Sequence, residues 1–312
     1  MLIVRLYLLA RKGGMLVEID AVFSGGGVKG FAFIGALQSI NEHGLTLARI
    51  AGTSAGAIVA SLIASDFHVD EIERMIDHLD LKKFLDPPKI TTIFPPIKWF
   101  TLFFQMGIYK GNKFEQWLYE QLARKNIYTF NDFKHHRLKI IISDLTLGRL
   151  VVMPDDLERL YGIDSKSFPV ATAVRISAGF PYFFMPKRLR GKNKRKSIVV
   201  DGGLLSNFPL WVFEDENGQK KRPLLGVTLS DSVENAKQHK INHALDMFQA
   251  LFSTMKQAHD ARYISTSKQN NVIFIPVENI QAVDLSIGKQ TKERLIRLGR
   301  EKADHFLQYW PS

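Results

Sequence analysis

The stretch "LVEIDAVFSGGGVKG", residues 16 to 30, decides how the rest of this 312-residue sequence is read. Its first nine residues are mostly apolar and β-branched and stop at three consecutive glycines, the pattern of a buried strand meeting a tight turn. A helix is expected next. "VKGFAFIGALQSINEHG" spaces Phe31, Ile34, Leu37 and Ile40 at near-helical intervals and ends at Gly44, a residue suited to a left-handed C-terminal cap.

The rhythm then repeats. "LARIAG" is a second short strand, Ser54 stands at its end, and "AGAIVASLIAS" is an apolar helix rich in small residues. Strand, glycine turn, helix, strand, turn, helix is the order of a parallel sheet with helices packed on its faces. Further strands are expected at 137–145, 149–154, 197–203, 223–230 and 271–277, and helices at 69–80, 111–125, 241–266 and 286–308. The fold class is therefore α/β, a mainly parallel central sheet flanked by helices on both faces. With no internal repeat and no convincing linker, residues 16–312 are read as a single domain. Residues 1–15 form an extension of unassigned role, and Met15 offers an alternative start.

Composition narrows the partners. Apolar residues make up 46% and charged residues 23%, as expected of a folded body. Forty-two Lys and Arg against 31 Asp and Glu leave a net charge of +11, which favours anionic surfaces. No nucleic-acid-binding module is readable, so phospholipid headgroups are the expected anions rather than nucleic acid. The absence of cysteine excludes disulfides, thiolate catalysis and Cys-ligated metals. Without an EF-hand loop or zinc-ligand spacing, no metal or cofactor is expected. The opening "MLIVRLYLLA" is interrupted by Arg5 and lacks the flanks of a signal peptide. No run approaches 18 uninterrupted apolar residues, so a cytoplasmic or peripheral membrane location is expected. Oligomeric state is left open.

Two glycine motifs carry the chemistry. In "GGGVKG", Gly25, Gly27 and Gly30 have the spacing of a dinucleotide-binding turn. A dinucleotide site also needs a carboxylate at the end of the second strand to hold the ribose, and "IAGTSAG" supplies none there. The stronger reading is a turn that aims bare backbone N–H groups at an oxyanion. "GTSAG", residues 52 to 56, matches G-x-S-x-G with a strand before it and a helix after it, which makes Ser54 a candidate nucleophile and the Ala55 N–H an added donor. A serine that merely capped its helix would not need Gly52 and Gly56 beside it.

Such a serine needs a base. His259 and His305 are the downstream histidines, and both fall inside expected amphipathic helices. "DGG" instead follows the strand "SIVV", so Asp201 emerges at a strand's C-terminal end, where sites of open α/β sheets form. In water a carboxylate is a weak base for a serine hydroxyl, so this reading requires a buried aspartate.

"GGGVKG", "GTSAG" and "DGG", in this order, resemble the motifs of the bacterial patatin-like phospholipases. "SDLTLG", "SAGFPYFFMP" and "DGGLLSNFP" look like further blocks of that family, and the likeness spans about 20 to 230. The resemblance implies an acyl hydrolase with a Ser-Asp dyad and no histidine. Ser54 is then the nucleophile and Asp201 the general base, with an acyl-serine intermediate. The backbone of Gly25, Gly26, Gly27, Val28 and Lys29, with Ala55, forms the oxyanion site, and Gly30, Gly52, Gly56, Gly202 and Gly203 support the motifs. Lys29 stands where many members carry Arg. A non-enzymatic membrane-binding protein of the same fold and a nucleotide-binding protein are the alternatives.

Two segments suggest membrane contact. "KRLRGKNKRK" holds seven basic residues in ten: Lys187, Arg188, Arg190, Lys192, Lys194, Arg195 and Lys196. Each such charge near an anionic bilayer contributes ~1 kcal/mol, although a solvated loop would look the same. The aromatic stretch around 84–110, with Trp99 and Phe103, reads either as a lid-like interfacial segment or as a flap over the core.

Overall fold

The computed structural model describes residues 17–77, 79–88, 102–134, 137–191, 196–229, 241, 247, 250–255, 269–278 and 280–310. Among them the strands are β1 Val17–Phe23, β2 Leu45–Thr53, β3 Gly107–Tyr109, β4 Leu138–Asp144, β5 Arg149–Met153, β6 Tyr182–Phe184, β7 Lys187–Arg190, β8 Lys196–Asp201, β9 Leu224–Thr228 and β10 Val272–Phe274. The helices used below are α1 Ala32–Glu42, α2 Ala55–Ala64, α3 Val69–Asp77, α4 Asn112–Ala123, α5 Leu157–Tyr161, α6 Val170–Ser177 and α7 Lys289–Leu307.

Eight strands form one sheet in the order β10, β9, β1, β2, β4, β8, β7, with β5 also paired to β4. The strands from β10 to β4 run parallel, while β8, β7 and β5 join antiparallel. Successive side chains of a strand point to opposite faces, and here both faces are covered. Ile19, Ala21 and Phe23 of β1 and Ile140 and Ile142 of β4 enter the larger core, while Val22 and Ile141 enter a smaller one. Burial on both faces is why these strands read as continuous apolar runs. Among the described residues the helices gather in the larger core, and Phe208, Leu210, Val212 and Phe213 cover the other face. Most of the helix expected at 241–266 lies outside the described residues.

The glycine turn at the head of α1 is held from behind. A methyl group added at Gly35 would lie 1.8 Å from the Ile296 carbonyl oxygen, and one at Gly299 would lie 1.8 Å from that of Ala32. These two glycines let the backbones of α1 and α7 touch, which fixes α1 against the last long helix.

The basic run is not one solvated loop. Lys187–Arg190 is the edge strand β7, paired with β8, and Lys187 forms an ion pair with Glu115 at 2.5 Å. Arg188, Arg190 and Lys196 are exposed, while Lys192, Lys194 and Arg195 lie outside the described residues. Sequence periodicity misses β7 because its polar face looks like a loop.

The aromatic stretch divides as well. Phe84 is buried and packs against Phe114 and Trp117 of α4, with ring centroids 5.5 and 5.3 Å away. Phe103 and Phe104 are 79% and 68% exposed, and Trp99 lies outside the described residues. β3, at the end of this stretch, pairs in parallel with β6. Buried Arg175 of α6 ties the pair down by donating to the carbonyls of Lys110 (2.6 Å), Gly111 (3.1 Å) and Met185 (3.0 Å). Burial pushes its guanidinium down to about 10.

Candidate active site

Ser54 occupies the single residue between β2 and α2, with φ 54° and ψ −119°. A residue with a Cβ adopts such a backbone at a cost of about 1–3 kcal/mol, tolerated where the surroundings over-determine it. Here the surroundings leave no room for relaxation. A methyl at Gly52 would meet the Gly56 carbonyl oxygen at 2.2 Å, and one at Gly56 would meet that of Phe23 at 2.3 Å. The glycines of "GTSAG" thus let strand, turn and helix backbones approach one another. The Ser54 N–H donates to Ser177 Oγ at 2.9 Å, and the Ser177 hydroxyl donates to the Ile141 carbonyl at 2.6 Å.

Asp201 ends β8 and is 3% exposed. It reaches Ser54 by a different route from that of a parallel strand. β8 runs antiparallel to β4 and overlaps only its C-terminal end, so that Asp201 pairs with Ile142 while Thr53 of β2 pairs with Ile141. This register delivers the carboxylate beside the turn. Ser54 Oγ donates to Asp201 Oδ2 at 2.7 Å, and Gly203 N–H donates to Oδ1 at 2.7 Å. The Gly203 bond orients the carboxylate, leaving Oδ2 to face the Ser54 hydroxyl.

The glycine turn presents fewer free donors than its sequence suggests. The N–H of Gly25 donates to the Asn207 carbonyl (3.1 Å), that of Val28 to Ala282 (2.9 Å) and that of Lys29 to Gly26 (3.3 Å). This leaves those of Gly26, Gly27 and Ala55, among the described residues, without an acceptor. All three residues line the same cavity as Ser54 and Asp201. The cavity measures about 210 Å³, and its remaining wall is mostly apolar, with Ile58 and Val59 of α2, Phe180 and Phe252 among its residues.

His305 does not line it. His305 is exposed on α7 with its ring 6.1 Å from that of Tyr309, and His259 lies outside the described residues. Three contributors escaped the sequence reading. Ser177 lies in the quoted "SAGFP" block and Asn207 in "SNFP", so both were within reach of motif inspection. Ala282 contributes only a backbone carbonyl, for which no sequence signal exists. Among the described residues no helix is long and apolar enough to cross a membrane.

The mostly parallel sheet carries a serine turn bonded to a buried aspartate in the wall of an apolar cavity. The family model described as patatin-like phospholipase matches residues 21–213, and the chain belongs to that family. Uncharacterized protein YqhO of Bacillus subtilis is 44% identical over 292 residues, covering 94% of this chain and 99% of that protein. Uncharacterized protein R571 of Acanthamoeba polyphaga mimivirus is 25% identical, covering 90% of each chain. Among solved structures, the crystal structure of VipD from Legionella pneumophila shares the fold with a TM-score of 0.55 and 18% identity, covering 93% of this chain. This chain spans 66% of the length of VipD.

Proposed function

We propose that the protein is a serine-dependent lipid acyl hydrolase that cleaves fatty-acyl esters of phospholipids or related lipids. The observation that carries this reading is the 2.7 Å hydrogen bond from Ser54 Oγ to Asp201 Oδ2. In the first step Oγ attacks the ester carbonyl carbon while its proton passes to Oδ2. The resulting oxyanion takes hydrogen bonds from the N–H groups of Gly26, Gly27 and Ala55; one such donor commonly contributes ~3–4 kcal/mol. Collapse breaks the ester bond, and the departing alkoxide takes the proton from Asp201. A water molecule then gives a proton to Asp201 and attacks the acyl-serine, and the proton returns to Oγ as the fatty acid leaves.

The residues lining the cavity come from as far apart as Gly26 and Leu285, which supports treating 16–312 as one working unit. The net charge of +11 and exposed Arg188, Arg190 and Lys196 support work at an anionic membrane surface. The test is lipid mass spectrometry of mixed phospholipid vesicles after incubation with wild-type and Ser54→Ala protein. Fatty acid released only by the wild type is expected. No release, together with failure of a fluorophosphonate to label Ser54, would support a non-enzymatic membrane-binding role instead.

A further inference from the structure

The family match ends at residue 213, yet part of the cavity wall comes from far beyond it. Ala282, Val283 and Leu285 line the same cavity as Ser54. The segment also grips the glycine turn. The Ala282 carbonyl accepts the Val28 N–H at 2.9 Å. It also fills the space of the missing Gly27 side chain, where an added Cβ would be 2.0 Å away. A second hold comes from Lys29, whose Nζ donates to the Val277 carbonyl at 3.1 Å. The segment has a defined shape of its own, because Asp284 Oδ1 accepts from the N–H (3.0 Å) and the hydroxyl (2.5 Å) of Ser286.

From these contacts we infer that residues 280–285 form an acyl-selectivity strap: the side chains of Val283 and Leu285 set how long a fatty-acyl chain the cavity accepts. At the same time the Ala282 backbone holds the turn that faces the ester. The inference rests on the acyl-hydrolase reading for its substrate class. It follows from chemistry as well as position. A wall of valine and leucine offers no hydrogen bonds, so it discriminates by apolar contact, where each buried methylene contributes about 0.8 kcal/mol. A change of side-chain volume there alters the longest chain that fits and has less effect on a short one.

The experiment compares wild type, Val283→Trp and Leu285→Trp in two measurements: calorimetric binding of dodecanoate, and the ratio of kcat/KM for p-nitrophenyl dodecanoate to that for p-nitrophenyl butyrate. Both the dodecanoate affinity and the ratio are expected to fall by about tenfold or more, within the range that steric discrimination in apolar pockets reaches. Affinity and ratio within about twofold of wild type in both variants would overturn the inference. If tryptophan prevents folding, Leu285→Ala takes its place, with an expected loss of dodecanoate affinity of about threefold or more from removed apolar contact; unchanged affinity overturns the inference equally. Wild-type protein that binds dodecanoate but cleaves neither ester would remove the hydrolase reading and leave the strap's role in acyl binding standing.

Discussion

Ser177 holds the backbone of Ser54: its hydroxyl accepts the Ser54 N–H at 2.9 Å while donating to Ile141 at 2.6 Å. A fully buried side chain thereby links β4 and α6 to Ser54, whose φ is positive. Ser177→Ala leaves a buried N–H and a buried carbonyl short of partners, at about 1–3 kcal/mol each. The expected outcome is a lower urea midpoint and a kcat reduced about tenfold or more with KM little changed, since Ser177 lines no part of the cavity. Recovery of kcat in Ser177→Thr separates this positioning role from general destabilisation, and wild-type kcat in Ser177→Ala would refute it.

Asp201→Asn keeps an oxygen to accept the Gly203 N–H but puts at Ser54 a group that cannot take its proton. Ser54→Ala and Asp201→Asn are each expected to lower fatty-acid release by about 10⁴-fold or more, as losses of single members of a catalytic unit do. His305→Ala, on an exposed face of α7, is expected to match wild type. Release of fatty acid from labelled vesicles measures all three.

Gly27 and Gly44 both have positive φ, 57° and 71°, but only Gly27 is crowded, while nothing lies within 4 Å of a methyl at Gly44. Gly44→Ala is expected to lose about 1 kcal/mol from backbone conformation and to keep wild-type fluorophosphonate labelling of Ser54. Gly27→Ala must displace the Ala282 carbonyl, which overpacking makes costly by roughly 1–3 kcal/mol more. Its labelling rate is expected to fall at least tenfold. Equal labelling rates in the two variants would separate the turn from the chemistry.

Lys292 of α7 reaches into the cavity wall's support, donating to the carbonyls of Ile76 (3.2 Å), near the end of α3, and of Leu79 (2.9 Å), just past it. Burial lowers its pKa from the ordinary 10.5, although Asp77 and Asp80 pull it the other way. The unfolded chain therefore binds more protons than the folded one between the lowered value and 10.5. Stability from this group rises with pH across that window. Urea midpoints measured toward pH 10 should show a rise in wild type that Lys292→Met flattens. Lys292→Met should also be less stable at neutral pH because two carbonyls lose their donor.

Much of the site was legible in the sequence because its main residues sit at places that local chemistry marks. Glycines at strand ends located the turns, apolar runs located β1, β2, β4 and β8, and the order of the motifs paired Ser54 with Asp201. Other features were not legible. The free donors narrowed to Gly26, Gly27 and Ala55 because the remaining N–H groups bond to the distant carbonyls of Asn207 and Ala282, or back within the turn to Gly26. A carbonyl is common to every residue and leaves no mark in composition. The basic run hid β7 because an edge strand needs only one apolar face, here supplied by Leu189.

The sequence alone marked the first two strand–turn–helix units, the glycine turns and the candidate serine and aspartate, since these follow from local periodicity and from which residues tolerate tight backbone turns. The tertiary structure alone decided the rest. Antiparallel β8 brings Asp201 beside a serine 147 positions away, Ser177 fixes the Ser54 backbone, and a strap from the C-terminal part of the chain closes on the glycine turn. These contacts depend on register and on backbone groups meeting across the fold, and local sequence patterns encode neither.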